Sequence, residues 1–590
     1  MRFSLFLVVV LASVLSACVT LPSPTPTYLP EPPPTTTAAT PAPSGGLPLP
    51  WIATPTPRPQ VLRINIAARP DLLDPQKASL SAEIAVLQLA YEGLTRVDEK
   101  GRVQPAAAER WEFTNGGKSL TFHLRAGLKR ADGTPLTAKD FEYAFRRALD
   151  PRIGGQSQPI LDGVRGALTA YSLDPKTKPE DIEKTLDKVG VKATDDLTLV
   201  VTFDQPTGFW TTIASTLIGF PSDRNKVEQD PDAWWLKPDS HNGNGPFKII
   251  EIREQVIRLT PNPNYRNGAA ERGAIELRPY LDRIELYWQG DAAALESYRK
   301  GELEIVRVSA ENLAQVQADP VLGKELVRAP AARVTYLGFN VKKPPFGDKN
   351  VRVAFSYALD REGLVRDVLK GLGKPYLSWI PPGIPGYDET ANVPAYDAQA
   401  AVQTLIGGGY GTADKKVDCA KLGTIKLSYS NTPKTQLVFR LIAENLTRVF
   451  ACQVLLDPIE PGAYPAIVRD PKTTPQMFLI PWEQECPHPQ NWLFLQTCAG
   501  VYAARLGYCN REFDAALAAA NAELDFDKAM EKYKAAQKIF VGDVAAAFLW
   551  NNENAYLVKP YARRVWDSRS TSDSIFPGQF GPVWSYTIGR

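Results

Sequence analysis

Apolar and polar residues alternate with period two over 61–67 and again over 119–125, where Leu120, Phe122 and Leu124 share one face. Both stretches predict half-buried strands. Over 81–91 the period changes to that of a helix, with Ile84, Leu87 and Tyr91 on one side. A second helix is predicted over 138–149: Thr137 suits the N-cap, Asp140 lies in the first turn, and Phe141 and Phe145 are one turn apart. Asp291 is expected to cap a helix that runs to Lys300 and ends at Gly301, before a strand over 304–308. From about 334 to 555 strands and helices take turns. Strand 334–340 precedes helix 350–360, strand 424–429 precedes helix 434–450, strand 453–457 precedes helix 462–469, and strand 476–480 runs into Pro481 and Trp482. Such alternation predicts parallel pairing with right-handed crossovers. Ligands of α/β sheets bind beyond the carboxyl ends of the strands, which points at 482–491.

The first residues carry a different pattern. Arg2 is followed by an almost unbroken apolar run over 3–15 and then by Leu15-Ser16-Ala17-Cys18. The run is too short for a stable membrane span but has the length of a signal-peptide core. Small residues before a lone cysteine resemble a bacterial lipobox, which implies cleavage before Cys18 and acylation of its thiol. An ordinary secretory signal with an incidental cysteine is the alternative. Residues 19–60 are dominated by Pro and Thr. Proline fixes φ and removes donors, so neither helix nor sheet is expected there. At about 3.1 Å per residue, a polyproline II spacer of this length would hold a domain up to ~130 Å from a lipid surface. A rigid ligand for a proline-binding module is the other reading of that composition.

The remaining residues, 61–590, are too many for one hydrophobic core, so two or three lobes are expected. The formal charge of +2 argues against an electrostatic nucleic-acid binder. Cys18 aside, five cysteines remain: Cys419, Cys452, Cys486, Cys498 and Cys509. If the strands that follow Cys419 and Cys452 are parallel neighbours, those two sit at one end and can bridge. Cys498 and Cys509 flank a short loop and form the next candidate pair, which leaves Cys486 free. An oxidising compartment permits both bonds.

Catalytic motifs are missing. The chain has only His123, His241 and His488, widely spaced, with no zinc helix, nucleophile elbow or Walker loop. Cys486 and His488 are the one nucleophile–base pair that can be imagined, and nothing in the sequence around them orients such a pair. No enzyme activity, no cofactor and no bound metal are expected.

Several motifs together carry a family resemblance. They are Leu73-Asp74-Pro75, Tyr91-Glu92-Gly93-Leu94, Ala108-Glu109-Arg110-Trp111, the run from Asp132-Gly133-Thr134-Pro135 to Asp140-Phe141, Asn244-Gly245-Pro246-Phe247, Phe339-Asn340, Asp360-Arg361 and Gly507-Tyr508-Cys509-Asn510. Their order and spacing resemble the family 5 extracellular solute-binding proteins, the oligopeptide- and dipeptide-binding components of ABC importers. Each motif also has a plain structural reading as a turn, cap or helix junction. The resemblance implies a bilobal, periplasmic-binding-protein-like α/β fold of the large three-part type, with mixed sheets and a hinge. Lobe I would comprise 61–95, 218–333 and 556–590; an extra subdomain 96–217; lobe II 334–555.

The same resemblance places the ligand site. Glu485 stands where peptide binders keep an aspartate that pairs with the ligand's α-ammonium group. Pro481, Trp482 and Glu483 would form one backbone edge for an extended peptide, and Ser79, Leu80 and Ser81 the opposite edge. Pro481 replaces a glycine and brings no N–H. Arg469 matches a position near the ligand's C-terminus, and is equally a helix-end cation. The implied partners are a peptide, an ABC permease and a membrane reached through the lipid anchor, with the protein monomeric and extracytoplasmic. A nickel chelate or a sugar as ligand, or a sensing receptor in place of an importer, are the alternatives within this fold.

Overall fold

Two strands much longer than the rest organise the structure: Leu326–Phe339, of 14 residues, and Ala546–Val558, of 13. The computed structural model describes residues 59–66, 68–98, 100–265, 281–564 and 586–588. The signal segment, Cys18, the proline-rich stretch to residue 58 and most of the tail after 564 lie outside the described residues.

The long strands are the centre of an eleven-stranded sheet. On one side follow Met477–Glu483, Ile425–Ser430 and Val454–Ile459; on the other Ile305–Arg307, Val61–Asn65, Arg283–Tyr287, Val256–Pro261 and Phe247–Ile252. Gly373–Pro375 pairs with Ala546–Val558 off this path. Parallel pairing holds for Ile425–Ser430 with Val454–Ile459 and for Val61–Asn65 with both of its neighbours. The centre is antiparallel, contrary to the expectation from strand–helix alternation. The reason is topological. One long strand carries the chain outward and the other brings it back, so as neighbours they run in opposite directions.

Buried side chains gather on either side of this centre. One cluster runs from Ala332 to Trp550. A second holds residues between Leu94 and Ile218, together with Cys486. Two more combine residues between Leu62 and Leu322 with residues of the returning strand and its end, such as Ala555, Tyr556 and Leu557. Where the clusters meet, the ladder between the long strands breaks register. Pro330 faces Glu553 and Val334 faces Asn551, so Ala331, Ala332 and Arg333 lie opposite Asn552 alone. Extra residues on one strand bend it and increase its twist. Asn551 fastens the bulge: its Nδ2 donates to the carbonyls of Ala331 at 2.7 Å and Arg333 at 2.8 Å.

Local chemistry explains most boundaries. The helix Ala138–Ala148 begins at Thr137, whose N–H donates to Asp140 at 2.7 Å. The helix Asp291–Arg299 is capped by Gly290, with Asp291 already in its first turn, one residue from the expected place. Motif residues do structural work. Asn244 exchanges two 3.0 Å hydrogen bonds with the backbone of Glu92. A Cβ on Gly245 would lie 2.5 Å from the backbone of Ala90 and Tyr91, so only glycine fits that crossing. Arg361 is buried and spends its guanidinium on the carbonyls of Ser356, Leu359 and Phe548. Disulfides join Cys419 to Cys452 and Cys498 to Cys509, and Cys486 is free and buried.

Candidate functional site

The strand Met477–Glu483 pairs with Leu326–Phe339 along all seven of its residues. On its other side only Met477 is paired, with Leu427. From Leu479 onward one edge is therefore left open by the sheet. Within a strand, successive residues direct their N–H and C=O groups to opposite sides. Gln484 N donates to Ala332 O, and Gln476 O accepts from Asn340 N. Even-numbered residues therefore face the long strand, and Pro481 and Glu483 face the open edge. This explains a strand that continues past Ile480, where the sequence suggested its end. Proline is tolerated at an edge because its missing N–H removes no ladder bond. It also moves Trp482 to a new role. Its peptide group is spent on the long strand, and its indole packs edge-on against Tyr502 at 5.6 Å.

Beyond Glu483 the chain turns into a loop that other side chains hold in place. Trp492 Nε1 donates to Gln484 Oε1 at 3.3 Å, and Glu485 N donates to Asn491 Oδ1 at 2.8 Å. Cys486 is sealed in the cluster formed mainly by residues 94–218. His488 lies between Phe209 and Tyr533, at 5.8 and 5.1 Å between ring centres. The Glu485 backbone is thus fixed where this loop meets the cluster formed by residues 94–218. Glu485 is exposed to water, yet desolvation raises its pKa, with a smaller opposing effect from Asn491. Among the described residues no cation lies within ion-pairing distance of this carboxylate.

The remaining expected site residues divide. Ser79, Leu80 and Ser81 are exposed, ahead of and at the start of the helix Ser81–Ala90. The N–H groups of Ser79 and Leu80 are already taken, each donating at 3.0 Å to Glu83, a buried carboxylate. That segment offers a ligand the Ser79 carbonyl and side chains, but not those donors. Arg469 is the exposed last residue of the helix Tyr464–Arg469 and makes no ion pair among the described residues. No hydrogen bond joins Arg469 or Ser79–Ser81 to Pro481–Glu485 among the described residues. Tyr336, Gln496, Tyr502 and Arg505 were not anticipated. Gln496, Tyr502 and Arg505 follow the loop within ten residues of one another, and the long strand brings Tyr336 against them.

Residues 102–501 match the profile of the bacterial extracellular solute-binding proteins, family 5. The chain belongs to this family. Among its relatives, the probable deoxycholate-binding periplasmic protein YgiS of Escherichia coli is 29% identical over 521 residues, covering 86% of this chain and 91% of that protein. The oligopeptide-binding protein OppA of Bacillus subtilis is 28% identical, covering 82% and 86%. The periplasmic murein tripeptide-binding protein MppA in an unliganded open form superposes with a TM-score of 0.75 at 24% identity, covering 90% of this chain and 98% of that one. OppA of Haemophilus influenzae in complex with RPPGFSPFR gives 0.62 at 24% identity, covering 90% and 99%. The family is one of solute-binding proteins, and these relatives are named for what they bind.

In this solute-binding protein Cys486 and His488 are not poised as nucleophile and base. Burial pushes the thiol far up and holds the imidazole down at about 3, which keeps both neutral. Gln490 N donates to His488 Nδ1, so that nitrogen carries no proton. His241 is equally buried. Its Nδ1 meets Tyr91 Oη and its Nε2 meets Trp235 O, and desolvation lowers its pKa to about 4. Both histidines return toward 6.5 on unfolding. Between that value and about 3 to 4 the unfolded chain holds more protons than the folded one, so stability is complete above 6.5 and falls as pH drops. Each histidine then costs up to about 1.4 kcal/mol per pH unit. Urea unfolding at pH 5.5 is expected to have a lower midpoint than at pH 7, and His241→Gln to flatten that dependence. Equal midpoints at the two pH values would show that the histidines are not buried as neutral groups.

Proposed function

We propose that this chain is the extracytoplasmic receptor of an ABC importer, capturing peptides between two lobes and delivering them to a membrane permease. The observation that carries the reading is the open edge of Met477–Glu483, which ends two residues before Glu485, a carboxylate without an ion pair among the described residues. An extended peptide would add a strand there, its backbone taking the Pro481 carbonyl and both polar groups of Glu483, and its α-ammonium pairing with Glu485. Main-chain pairing gives affinity without reading sequence, which suits a nutrient receptor. The names of the OppA, DppE and MppA relatives support a peptide ligand. Lobe I is assigned to 61–95, 218–333 and 556–590, the subdomain to 96–217, and lobe II to 334–555. The bulge at Ala331–Arg333 is then the natural hinge, because both crossing strands are irregular there. Lipidation at Cys18 and the 19–60 spacer would tether a monomer outside the cytoplasmic membrane, and binding requires no chemistry.

YgiS is named for deoxycholate, an anion that Glu485 would repel, so that ligand serves as the contrast in the test. Native mass spectrometry of the protein purified without denaturation is expected to show added masses that fragment as short peptides. A bare protein that stays bare with peptide mixtures, yet binds deoxycholate, a nickel chelate or a sugar, would keep the fold and overturn the peptide reading.

A further inference from the structure

Beside the open edge lies a group of polar side chains that the backbone-recognition scheme does not use. Tyr502 stands edge-on to Trp482 at 5.6 Å and 6.4 Å from the ring of Tyr336. The Arg505 guanidinium lies over the Tyr502 ring at 4.7 Å. Among the described residues it makes no ion pair. Deeper in, Trp482 Nε1 is buried without a hydrogen-bond partner, and Tyr336 Oη and the Gln496 carboxamide, which face each other, are buried without a well-formed hydrogen bond. Tyr336 and Gln496 are fully buried, whereas Arg505 is half-buried and in reach of solvent. Glu485 belongs to the same neighbourhood: its charge and that of Arg505 act in opposite directions on the Tyr502 hydroxyl.

The chemistry of the group is one-sided. An indole N–H, a phenol O–H, a carboxamide N–H₂ and a guanidinium are all donors, and only the Gln496 carbonyl is purely an acceptor. Unpaired buried donors are costly, and an apolar ligand group would leave them unpaired. A carboxylate accepts several hydrogen bonds at once and matches the planar fork of arginine. We propose that Arg505, backed by Trp482, Tyr336 and Gln496, forms a subsite for an acidic side chain on one of the first two residues of the bound peptide. This rests on the peptide reading above, with Glu485 holding the α-ammonium: the ligand then presents its positive end to Glu485 and a nearby negative group to Arg505. Arg505 is a specificity-determining residue in this scheme. A merely structural role, as a cation at the end of the helix Val501–Leu506, would give no ligand preference.

The test is calorimetric titration of the whole protein, and of its Arg505→Gln variant, with trialanine and its three single-glutamate variants. Glutamate at position one or two is expected to tighten binding about tenfold over trialanine, and Arg505→Gln to erase that gain while leaving trialanine affinity within about twofold. Retained trialanine binding shows that the variant is folded. Arg505→Lys, which keeps the charge but not the fork, should recover part of the preference. No preference for glutamate, an equal preference at all three positions, a preference that survives Arg505→Gln, or a uniform loss of all ligands overturns the subsite. If the unmodified protein binds none of the four, the peptide reading itself falls, which is a different result from trialanine binding without glutamate preference.

Discussion

Glu485→Gln is expected to weaken peptide binding by about a hundredfold while leaving thermal unfolding unchanged. Among the described residues the carboxylate has no cation to lose, so its charge holds no ion pair of the fold there. Desolvation raises its pKa, which means that its surroundings disfavour the negative charge. A ligand ammonium relieves that cost and gains a charge-assisted hydrogen bond. Removing one partner of a desolvated charged pair typically costs about 2–5 kcal/mol of binding, and a hundredfold corresponds to ~2.7 kcal/mol. Glutamine keeps the shape and the Asn491 contact to the backbone N–H, so only the charge is tested. Calorimetric titration with a peptide and with its N-acetylated form separates the contributions. The acetylated peptide should bind weakly to both proteins. Unchanged affinity for the free peptide would remove Glu485 from the site, and a lowered melting temperature would make its role structural.

Asp74→Asn is expected to have the largest effect on stability, about 3–5 kcal/mol. Asp74 is fully buried and grips Arg147 with two 2.6 Å hydrogen bonds. Arg147 also reaches Gln76 Oε1 at 3.0 Å, which in turn accepts from Ser222 Oγ at 2.8 Å. The network ties the 73–76 turn to the helix Ala138–Ala148 and so joins two of the buried clusters. The asparagine variant leaves the guanidinium enclosed with no carboxylate, and an uncompensated buried charge costs far more than the intact pair contributes. Urea unfolding measures the loss. Replacing both partners by apolar residues, Asp74→Leu with Arg147→Met, should cost less than Asp74→Asn alone. If the single variant loses under about 1 kcal/mol, solvent reaches the pair and the network is not the junction described here.

Much of the architecture is legible in the chain itself. Period-two alternation over 119–125 and the Thr137–Asp140 capping pair identify elements that the structure places at Ser119–Leu124 and Ala138–Ala148. The order of short turn and cap motifs points to the family, because residues such as Asn244 and Gly245 have one backbone task each and tolerate few substitutes. Other features are invisible to such reasoning. The strand Leu326–Phe339 starts eight residues before the 334 suggested by its pattern, since Arg328 and Pro330 disguise a segment that crosses between cores. Ala546–Val558 is too uniformly apolar at its start to show a period at all.

At the candidate site the division is sharper. The sequence alone determines which residue types the 481–491 segment contains, that it follows a strand, and that a carboxylate stands at 485. Tertiary structure decides what they face. Pairing with the long strand turns the Trp482 peptide inward and the Glu483 peptide outward, and the fold brings Tyr336 and Tyr502 together beside the Trp482 indole. Side-chain periodicity is a local property, written into neighbouring residues by sterics and burial. Hydrogen-bond register, desolvation and the meeting of distant side chains depend on which strands pair and which cores close around them, and one chain read in isolation contains no record of those distances.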